Sequence, residues 1–291
     1  MTFRIAQISD THLGAAKPDF VPGFAGVAAH VNASRPDLVV NSGDMSLDGA
    51  AVEDDLAEAR RLHGLIEAPV RYLPGNHDLG EGADTPAPAG HPVVSEARRA
   101  VYVSHFGPDY WCLDAGGWRI VAINAQILGS GLPCADAQLR FVAETVGTAG
   151  ATPVALLVHK PLFHLSADED VVGGRFVNPG PRAELLKAFG GVTPTLVASG
   201  HVHQYFARRH QGSEHVWAPS TAFVIPDDKQ PRYGTKEPGY VEHLLEADGT
   251  HVSRLVSVPG VARLDIADYM HVYAHYLKPQ EAAETKPEGR A

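Results

Sequence analysis

The sequence predicts an α/β fold, on three observations. Over the first 200 residues, short apolar runs alternate with amphipathic segments, the order expected when parallel strands are joined by crossover helices. The apolar runs read as buried strands, ending in turn-forming or polar residues. The chain has 291 residues and 44% hydrophobic content, ample for one large domain with a small appendage.

In order, FRIAQIS (3–9) reads as a strand, FAGVAAHVNAS (24–34) as a helix and PDLVVNSG (36–43) as a strand. AVEDDLAEARRLHGLI (51–66) is a helix whose acidic first turn suits the helix dipole. PVRYLPG (69–75) is the next strand, and the Gly-, Pro- and Ala-rich stretch 79–94 is a long loop expected to rim a site. A hairpin follows, with YWCLDA and WRIVAIN flanking Gly116-Gly117. ADAQLRFVAETV (135–146) is a helix, PVALLVH (153–159) a strand, 168–181 a Gly/Pro loop, PRAELLKAF (181–189) a helix and PTLVASGHVH (194–203) a strand. Beyond residue 203 the helices stop. QYFARRH, SEHVWAP, GYVEHLLEA and HVSRLVSV read as an antiparallel continuation, with a turn at Asp248-Gly249 and a polar, Pro-rich loop over 225–239. The segment 261–278 is Tyr-rich, and 279–291 is polar and expected to be disordered.

Composition narrows the function classes. The net charge is −10, from 34 acidic and 24 basic residues, which disfavours long nucleic acids and anionic membranes as partners. No apolar run approaches the ~20 residues of a membrane span. Phe3 to Ile8 is too short for a signal peptide and reads as a first strand. Cys112 and Cys134 form no CxxC pair, so a zinc ribbon is excluded and two buried thiols in a reducing, cytoplasmic setting are expected. Sixteen histidines point to metal or proton chemistry.

Five polar clusters end the apolar runs: Asp10-Thr11-His12, Gly43-Asp44, Gly75-Asn76-His77-Asp78, His159 and Gly200-His201-Val202-His203. Open α/β sheets present their sites at the carboxyl ends of strands. Asp10, His12, Asp44, Asn76, His159, His201 and His203 stand there, and they offer the oxygen and imidazole donors that a pair of divalent or trivalent ions requires. If extended, His201 and His203 share one face by the strand period of two. His77, beside Asn76, is placed to give a proton or hydrogen bond to a leaving oxygen. Each cluster alone is an ordinary turn or rim feature; their convergence is what selects a two-metal hydrolytic site.

The segments ISDTHLG, NSGDMS, LPGNHD, LVHKPLF and ASGHVH, in this order and spacing, resemble the calcineurin-like metallophosphoesterase superfamily. The resemblance covers roughly residues 1–260, leaving 261–291 as a C-terminal segment that packs on the domain or on another subunit of a homo-oligomer. It implies a four-layer αββα sandwich of two mixed sheets. It further implies that Asp10, His12 and His203 bind one metal, that Asn76, His159 and His201 bind a second, and that Asp44 bridges them. His77 would then sit over the phosphate, positioned by Asp78, and metal-bound hydroxide would attack phosphorus in line. Donors of this kind suit Mn, Fe, Zn, Co or Ni.

The substrate class follows from departures. Protein phosphatases of the superfamily resemble GDxVDRG, whose arginine grips phosphate, and GNHE; here the text is GDMSLDG and GNHD. A monoester carries nearly two charges and gains from such an arginine; its absence favours a diester. No tyrosine follows the Asp44 motif, as a purple acid phosphatase would require. WAPST and PGYVEHLLEADG resemble the bacterial cyclic-nucleotide and glycerophosphodiester phosphodiesterase branch. A small phosphodiester is the expected substrate. A phosphomonoesterase of the same fold is the alternative, ahead of a non-catalytic scaffold or a nuclease. Lys160 stands where that branch commonly has a second histidine, and either adds charge beside the site or faces solvent. Of the other histidines, His91 and His164 lie in rim loops within reach of a substrate and the rest read as surface or packing residues; Arg232 and Tyr233 read as part of a solvated loop, with phosphate or base contact as the alternative.

Overall fold

Successive side chains of a strand face opposite sides of a sheet, and this alternation decides the layering. The computed structural model describes residues 2–86 and 91–273. From the N-terminus come β1 (Phe3–Ile8), α1 (Val21–Ser34), β2 (Leu38–Asn41), α2 (Glu53–Leu62), β3 (Val70–Tyr72), α3 (Asn76–Leu79) and α4 (Glu96–Phe106). Then follow β4 (Trp111–Ala115), β5 (Trp118–Ile123), α5 (Pro133–Gly147), β6 (Val154–Val158), α6 (Pro179–Ala188), β7 (Leu196–Ser199), β8 (Phe206–His210), β9 (Ser213–Trp217), β10 (Gly239–Leu245) and β11 (His251–Ser257). One sheet has the order β11-β10-β1-β2-β3 and the other β4-β5-β6-β7-β9-β8. Both are mixed: β1-β2-β3 and β5-β6-β7-β9 run parallel, with antiparallel strands at the flanks.

Neighbouring residues of one strand enter different cores. Ile5, Leu38, Val40, Ile120, Ala122, Ala155 and Leu157 meet between the two sheets. Their neighbours Ala6, Ile8 and Val39 face α1, α2 and α4, through Phe24, Val31, Leu56 and Tyr102. Val121, Ile123, Leu156 and Val158 face α5 and α6, through Val142, Val146 and Leu185. Strands buried on both faces between crossover helices give the four layers αββα. At about 25 cal/mol per Å² of apolar surface, these three cores supply the main favourable term of folding.

The strands after residue 203 do not form one antiparallel continuation. β9 joins β7 in parallel and carries β8 as a hairpin partner, whereas the β10–β11 hairpin returns to the first sheet, where β10 pairs antiparallel with β1. The burial explains it: β10 is covered on both faces and takes an inner position, while β11 alternates partly buried and exposed residues at the edge. Helix α4 has no counterpart among the expected elements; Ser95 caps it by accepting from the Arg98 N–H, and Tyr102 and Phe106, one turn apart, are its buried face. Cys134 is buried as expected, but Cys112 is only half-buried, and the two are unpaired.

Residues 261–273 lie on the domain. The Ile266 N–H donates to the Val224 carbonyl, the Tyr269 ring stands 5.6 Å from Phe20, and Lys17 Nζ donates to the Val272 carbonyl. Tyr276 and the polar tail fall outside the described residues. No helix among the described residues is long and apolar enough to cross a membrane.

Candidate metal centre

Five strands, β1, β2, β3, β6 and β7, end within four residues of the seven expected ligands, and His77 follows β3 by five residues. The loops after β1 and β2 run side by side: the Asp10 N–H donates to the Gly43 carbonyl (2.9 Å) and the His12 N–H to the Asp44 carbonyl (3.1 Å). The loop after β7 closes on them through the His201 N–H, which donates to Asp10 Oδ2 (2.9 Å). Three donor groups result, each with its ligand atoms within 4.8 Å of one another: Asp10, His12 and His203; Asp44, His159 and His201; and His12, Asp44 and His77. Asn76 adds an amide oxygen 3.4 Å from His159 Nε2. All eight residues are therefore brought together, with Asp44 between the two sides.

The backbone is bent to do this. The described non-glycine residues with left-handed backbone are Asp10, His12, Arg35, Asp44, His201, His203 and Gln211. Five of these seven are expected ligands, each held at a cost of about 1–3 kcal/mol that the surrounding structure must offset. His201 and His203 are thus not on an extended stretch. Their shared direction comes from two left-handed residues past the end of β7, not from the strand period. Two glycines are required by close approach. A Cβ at Gly75 would lie 2.0 Å from Asp44 Oδ1, and one at Gly43, itself at φ +114°, 2.3 Å from His159 Nδ1.

Backbone carbonyls fix the imidazoles. His159 Nδ1 lies 2.8 Å from the Ser42 oxygen, His203 Nδ1 3.0 Å from that of Phe223, His201 Nε2 2.9 Å from that of Gly174 and His77 Nδ1 2.8 Å from that of Leu47. A carbonyl only accepts, so each of these nitrogens carries the hydrogen and the other ring nitrogen presents its lone pair. The ring nitrogens that face the centre converge: His12 Nε2 is 3.2 Å from His203 Nε2, and His201 Nδ1 is 3.1 Å from His159 Nε2.

This arrangement calls for positive charge. Burial, then the imidazoles of His77 and His203, hold His12 well below the ordinary histidine range. Burial, then His159 and Lys160, does the same to His201. Burial pushes the Asp44 carboxyl up, but His159, His77 and His12 outweigh it and leave Asp44 well below its usual range. Against burial, the charge of Asp44 raises His159 to about 9. Asp10 Oδ1 is buried without a hydrogen-bond partner, 3.3 Å from His203 Nε2. The depressed imidazoles of His12 and His201, the ionised Asp44 and the orphaned Asp10 oxygen form a donor set of the kind divalent cations bind, and a cation beside Asp44 would displace the proton that Asp44 holds on His159. The residues present fit that group.

Asp78 reaches His77 through the backbone. Its carboxylate accepts from the Gly75, Met45 and Ser46 N–H groups and from Ser46 Oγ, and so locks the loops after β2 and β3 together. Burial and the nearby Asp44 raise it to about 6. Lys160 does not face solvent: it is buried, with Nζ 2.7 Å from Glu81 Oε2.

A cavity of about 930 Å³ opens over the cluster. Its wall includes Glu81 and Pro86 from the 79–94 loop, His164, Arg175 and Phe176 from the region between β6 and α6, and Gln230 and Tyr233 from the 225–239 loop. His164 thus reaches the cavity, whereas His91 is not part of its wall and Arg232 pairs with Asp227 at the surface. Sequence reasoning missed Arg175, Glu81 and the four carbonyl anchors. A backbone carbonyl leaves no mark in residue identity, and Arg175 sits in no motif.

Residues 3–205 match the calcineurin-like phosphoesterase family. The 3′,5′-cyclic adenosine monophosphate phosphodiesterase CpdA of Pseudomonas aeruginosa is 28% identical over 280 residues, covering 91% of this chain and 94% of its own length. The glycerophosphodiester phosphodiesterase GpdQ of Enterobacter lignolyticus is 25% identical over 291 residues, covering 94% and 93%. Among solved structures, the purple acid phosphatase PPD1 of yellow lupin superposes with a TM-score of 0.64 at 16% identity over 91% of this chain, which spans 53% of the lupin chain. A dimetal phosphatase of Danio rerio gives 0.60 at 12% identity, over 88% of this chain and 97% of its own. These structural likenesses concern the fold. Motifs in order, a four-layer sandwich and a match across more than half of the sequence agree: the chain belongs to the calcineurin-like phosphoesterase family.

Proposed function

We propose that the protein is a binuclear metal-dependent phosphodiesterase acting on a small phosphodiester, working in the cytoplasm. The observation that carries this reading is the pair of converging donor groups with Asp44 between them. In it, Asp10, His12 and His203 would hold one ion, Asn76, His159 and His201 the other, and Asp44 both. Bound there, such ions act as Lewis acids on a phosphoryl oxygen and make water a nucleophile near neutral pH.

The chain's own residues do the rest. The carbonyls of Ser42, Phe223 and Gly174 hold three imidazoles in one tautomer, so no reorganisation is needed when substrate arrives. His77, with Nδ1 committed to the Leu47 carbonyl, offers Nε2 to hold a proton for the departing oxygen. Asp78 is a positioning residue that keeps His77 over the cluster through the loop backbone.

Three observations favour a diester. The residues after Asp44 supply no arginine: Met45 is buried in the core, and Ser46 is turned onto Asp78. The cavity is of the size that small-molecule sites occupy, which suits a small substrate better than a long polynucleotide. Relatives that align along nearly the whole chain are named as phosphodiesterases of small substrates. Cys112 and Cys134, unpaired, suit a reducing compartment.

The test is turnover of bis(p-nitrophenyl) phosphate against p-nitrophenyl phosphate with Mn²⁺, Fe²⁺, Zn²⁺, Co²⁺ or Ni²⁺ added to metal-stripped protein. Faster diester turnover, with two ions per chain by elemental analysis, is expected. A monoester turned over far faster overturns the diesterase reading.

A further inference from the structure

We propose that the cavity wall formed by Arg175, Tyr233, His164 and the Val171–Val172 pair is the subsite for the organic half of the substrate, and that it selects a flat heteroaromatic group. The proposal deepens the phosphodiesterase reading and rests on it for the phosphate half.

The first argument is charge. Among the described residues, the cavity wall holds three carboxylates and one permanent cation. Each carboxylate is engaged. Asp44 accepts from the His77 N–H, Glu81 pairs with Lys160, and Glu169 accepts from the N–H groups of His164, Leu165 and Ser166. The cation, Arg175, faces none of them. Its one protein hydrogen bond among the described residues runs from Nη1 to the Tyr233 hydroxyl at 2.9 Å, and the guanidinium lies 5.8 Å from the centre of the Tyr233 ring. A guanidinium has five N–H donors. The remainder are available to ligand acceptors such as ring nitrogens or exocyclic oxygens.

The second argument is shape. His164 stands 4.6 Å from the Tyr233 ring, and Trp217 packs behind Tyr233 at 5.7 Å. These rings cluster into an aromatic platform around Tyr233, their planes tilted 59° and 80° to it. Opposite polarity would be expected of a solvated rim, yet Val171 and Val172 line the same cavity and are 55% and 62% exposed. Apolar side chains in this state are covered at little entropic loss by a flat apolar face. A glycerol-like group has no such face and would leave both valines and the rings in water.

The third argument is placement. The Gly174 carbonyl accepts from His201 Nε2, so Arg175 follows directly on a residue anchored to the metal cluster. Asn178 fixes the other side of the loop, accepting from the Gly173 N–H and donating to the Asp84 carbonyl. The platform is therefore registered against the cluster before any ligand binds, which is the condition for discrimination between substrates.

Calorimetric titration of the full-length, Mn²⁺-loaded protein with inorganic phosphate, ribose 5-phosphate and adenosine 5′-monophosphate tests it. Ribose 5-phosphate shares the phosphate and sugar but lacks the flat ring. The wild type should bind adenosine 5′-monophosphate tighter than ribose 5-phosphate by about 5- to 100-fold, the scale of one base–aromatic stack. Tyr233→Ala and Arg175→Ala should each shrink that ratio toward one while inorganic phosphate binds as before. Tyr233→Phe, which keeps the ring and loses the bond to Arg175, should fall between. A wild type without discrimination, or variants that keep the full ratio, overturns the subsite. Unchanged phosphate affinity also separates this role from a merely structural one. Failure of the wild type to hydrolyse bis(p-nitrophenyl) phosphate would instead sink the diesterase reading and leave the binding ratio to stand or fall alone.

Discussion

Acidification should destabilise the protein through His63, a buried residue outside the metal cluster. Its Nδ1 donates to the Ala59 carbonyl at 2.7 Å, and its Nε2 accepts from Asn41 Nδ2 at 2.8 Å. Burial pushes its pKa down to about 4, against about 6.5 in an unfolded chain. The folded value is the lower one, so the unfolded state takes up a proton first as pH falls. The contribution is whole above about pH 7, declines through 6.5, and is lost by about 4. Between pH 7 and 5 the difference integrates to about 2 kcal/mol from these two values, a sizeable part of the ~5–15 kcal/mol of a typical domain. The structural reason is that an imidazolium would turn an N–H toward the Asn41 amide hydrogens. Asn41 Oδ1 accepts from the Gly43 N–H, so the strain would pass to the residue before Asp44. The assay is urea unfolding of wild type and His63→Gln at pH 7 and 5, with chelator at both so that metal loss does not enter. The variant amide can replace both hydrogen bonds but does not titrate. It should lose about 2 kcal/mol less than wild type between the two pH values; equal losses would refute the reasoning.

Other consequences follow from the same contacts. His77→Ala should retain both metals by elemental analysis yet slow turnover by about 10²–10⁴-fold; loss of metal would make His77 a ligand instead. Gly75→Ala would place a Cβ 2.0 Å from Asp44 Oδ1, whereas at Gly64 a Cβ meets nothing within 4 Å. The first should weaken metal binding in a chelator competition while the second leaves it unchanged, and equal behaviour would remove the role given to close approach. Lys160→Met leaves Glu81 without its partner and should cost about 3–5 kcal/mol in urea unfolding. Adding Glu81→Gln should recover much of that, and no recovery would mean that Lys160 acts by another contact.

The candidate metal centre was legible because its proposed ligands come in short words at strand ends, and strand ends show as a break in apolar runs. The identities of Asp10, Asp44 and His159 are written in the chain; what orients them is not. Ser42, Leu47, Gly174 and Phe223 act through carbonyl oxygens, which every residue possesses, so no choice of letter reveals them. The return of β10 to β1 was hidden for a related reason. Its pattern tells that both faces are covered, but a hairpin at the end of either sheet would have satisfied the same alternation locally. Lys160 illustrates a third limit: its burial depends on Glu81, seventy-nine residues earlier in the chain, and a pair so separated has no spacing to read.

The parts that escaped sequence reasoning include the loop that carries Arg175, on the wall of the cavity over the cluster. Donor groups at strand ends set what chemistry is possible and leave the organic half of the substrate undetermined. In the proposed subsite that half would meet the loops after β6 and after β9, where Arg175 and Tyr233 touch across fifty-eight residues of sequence. Such loops vary without disturbing the core, since their backbone runs over the surface. Yet here they are not independent of the chemistry, because the Gly174 carbonyl both orients His201 and fixes the residue next to Arg175. A change in the loop that improves contact with one substrate would therefore also move His201, a proposed metal ligand. On the proposed subsite and metal centre, specificity and metal geometry would be coupled through one hydrogen bond, and loop variants that keep the Gly174 conformation should be the ones that exchange substrates without losing turnover.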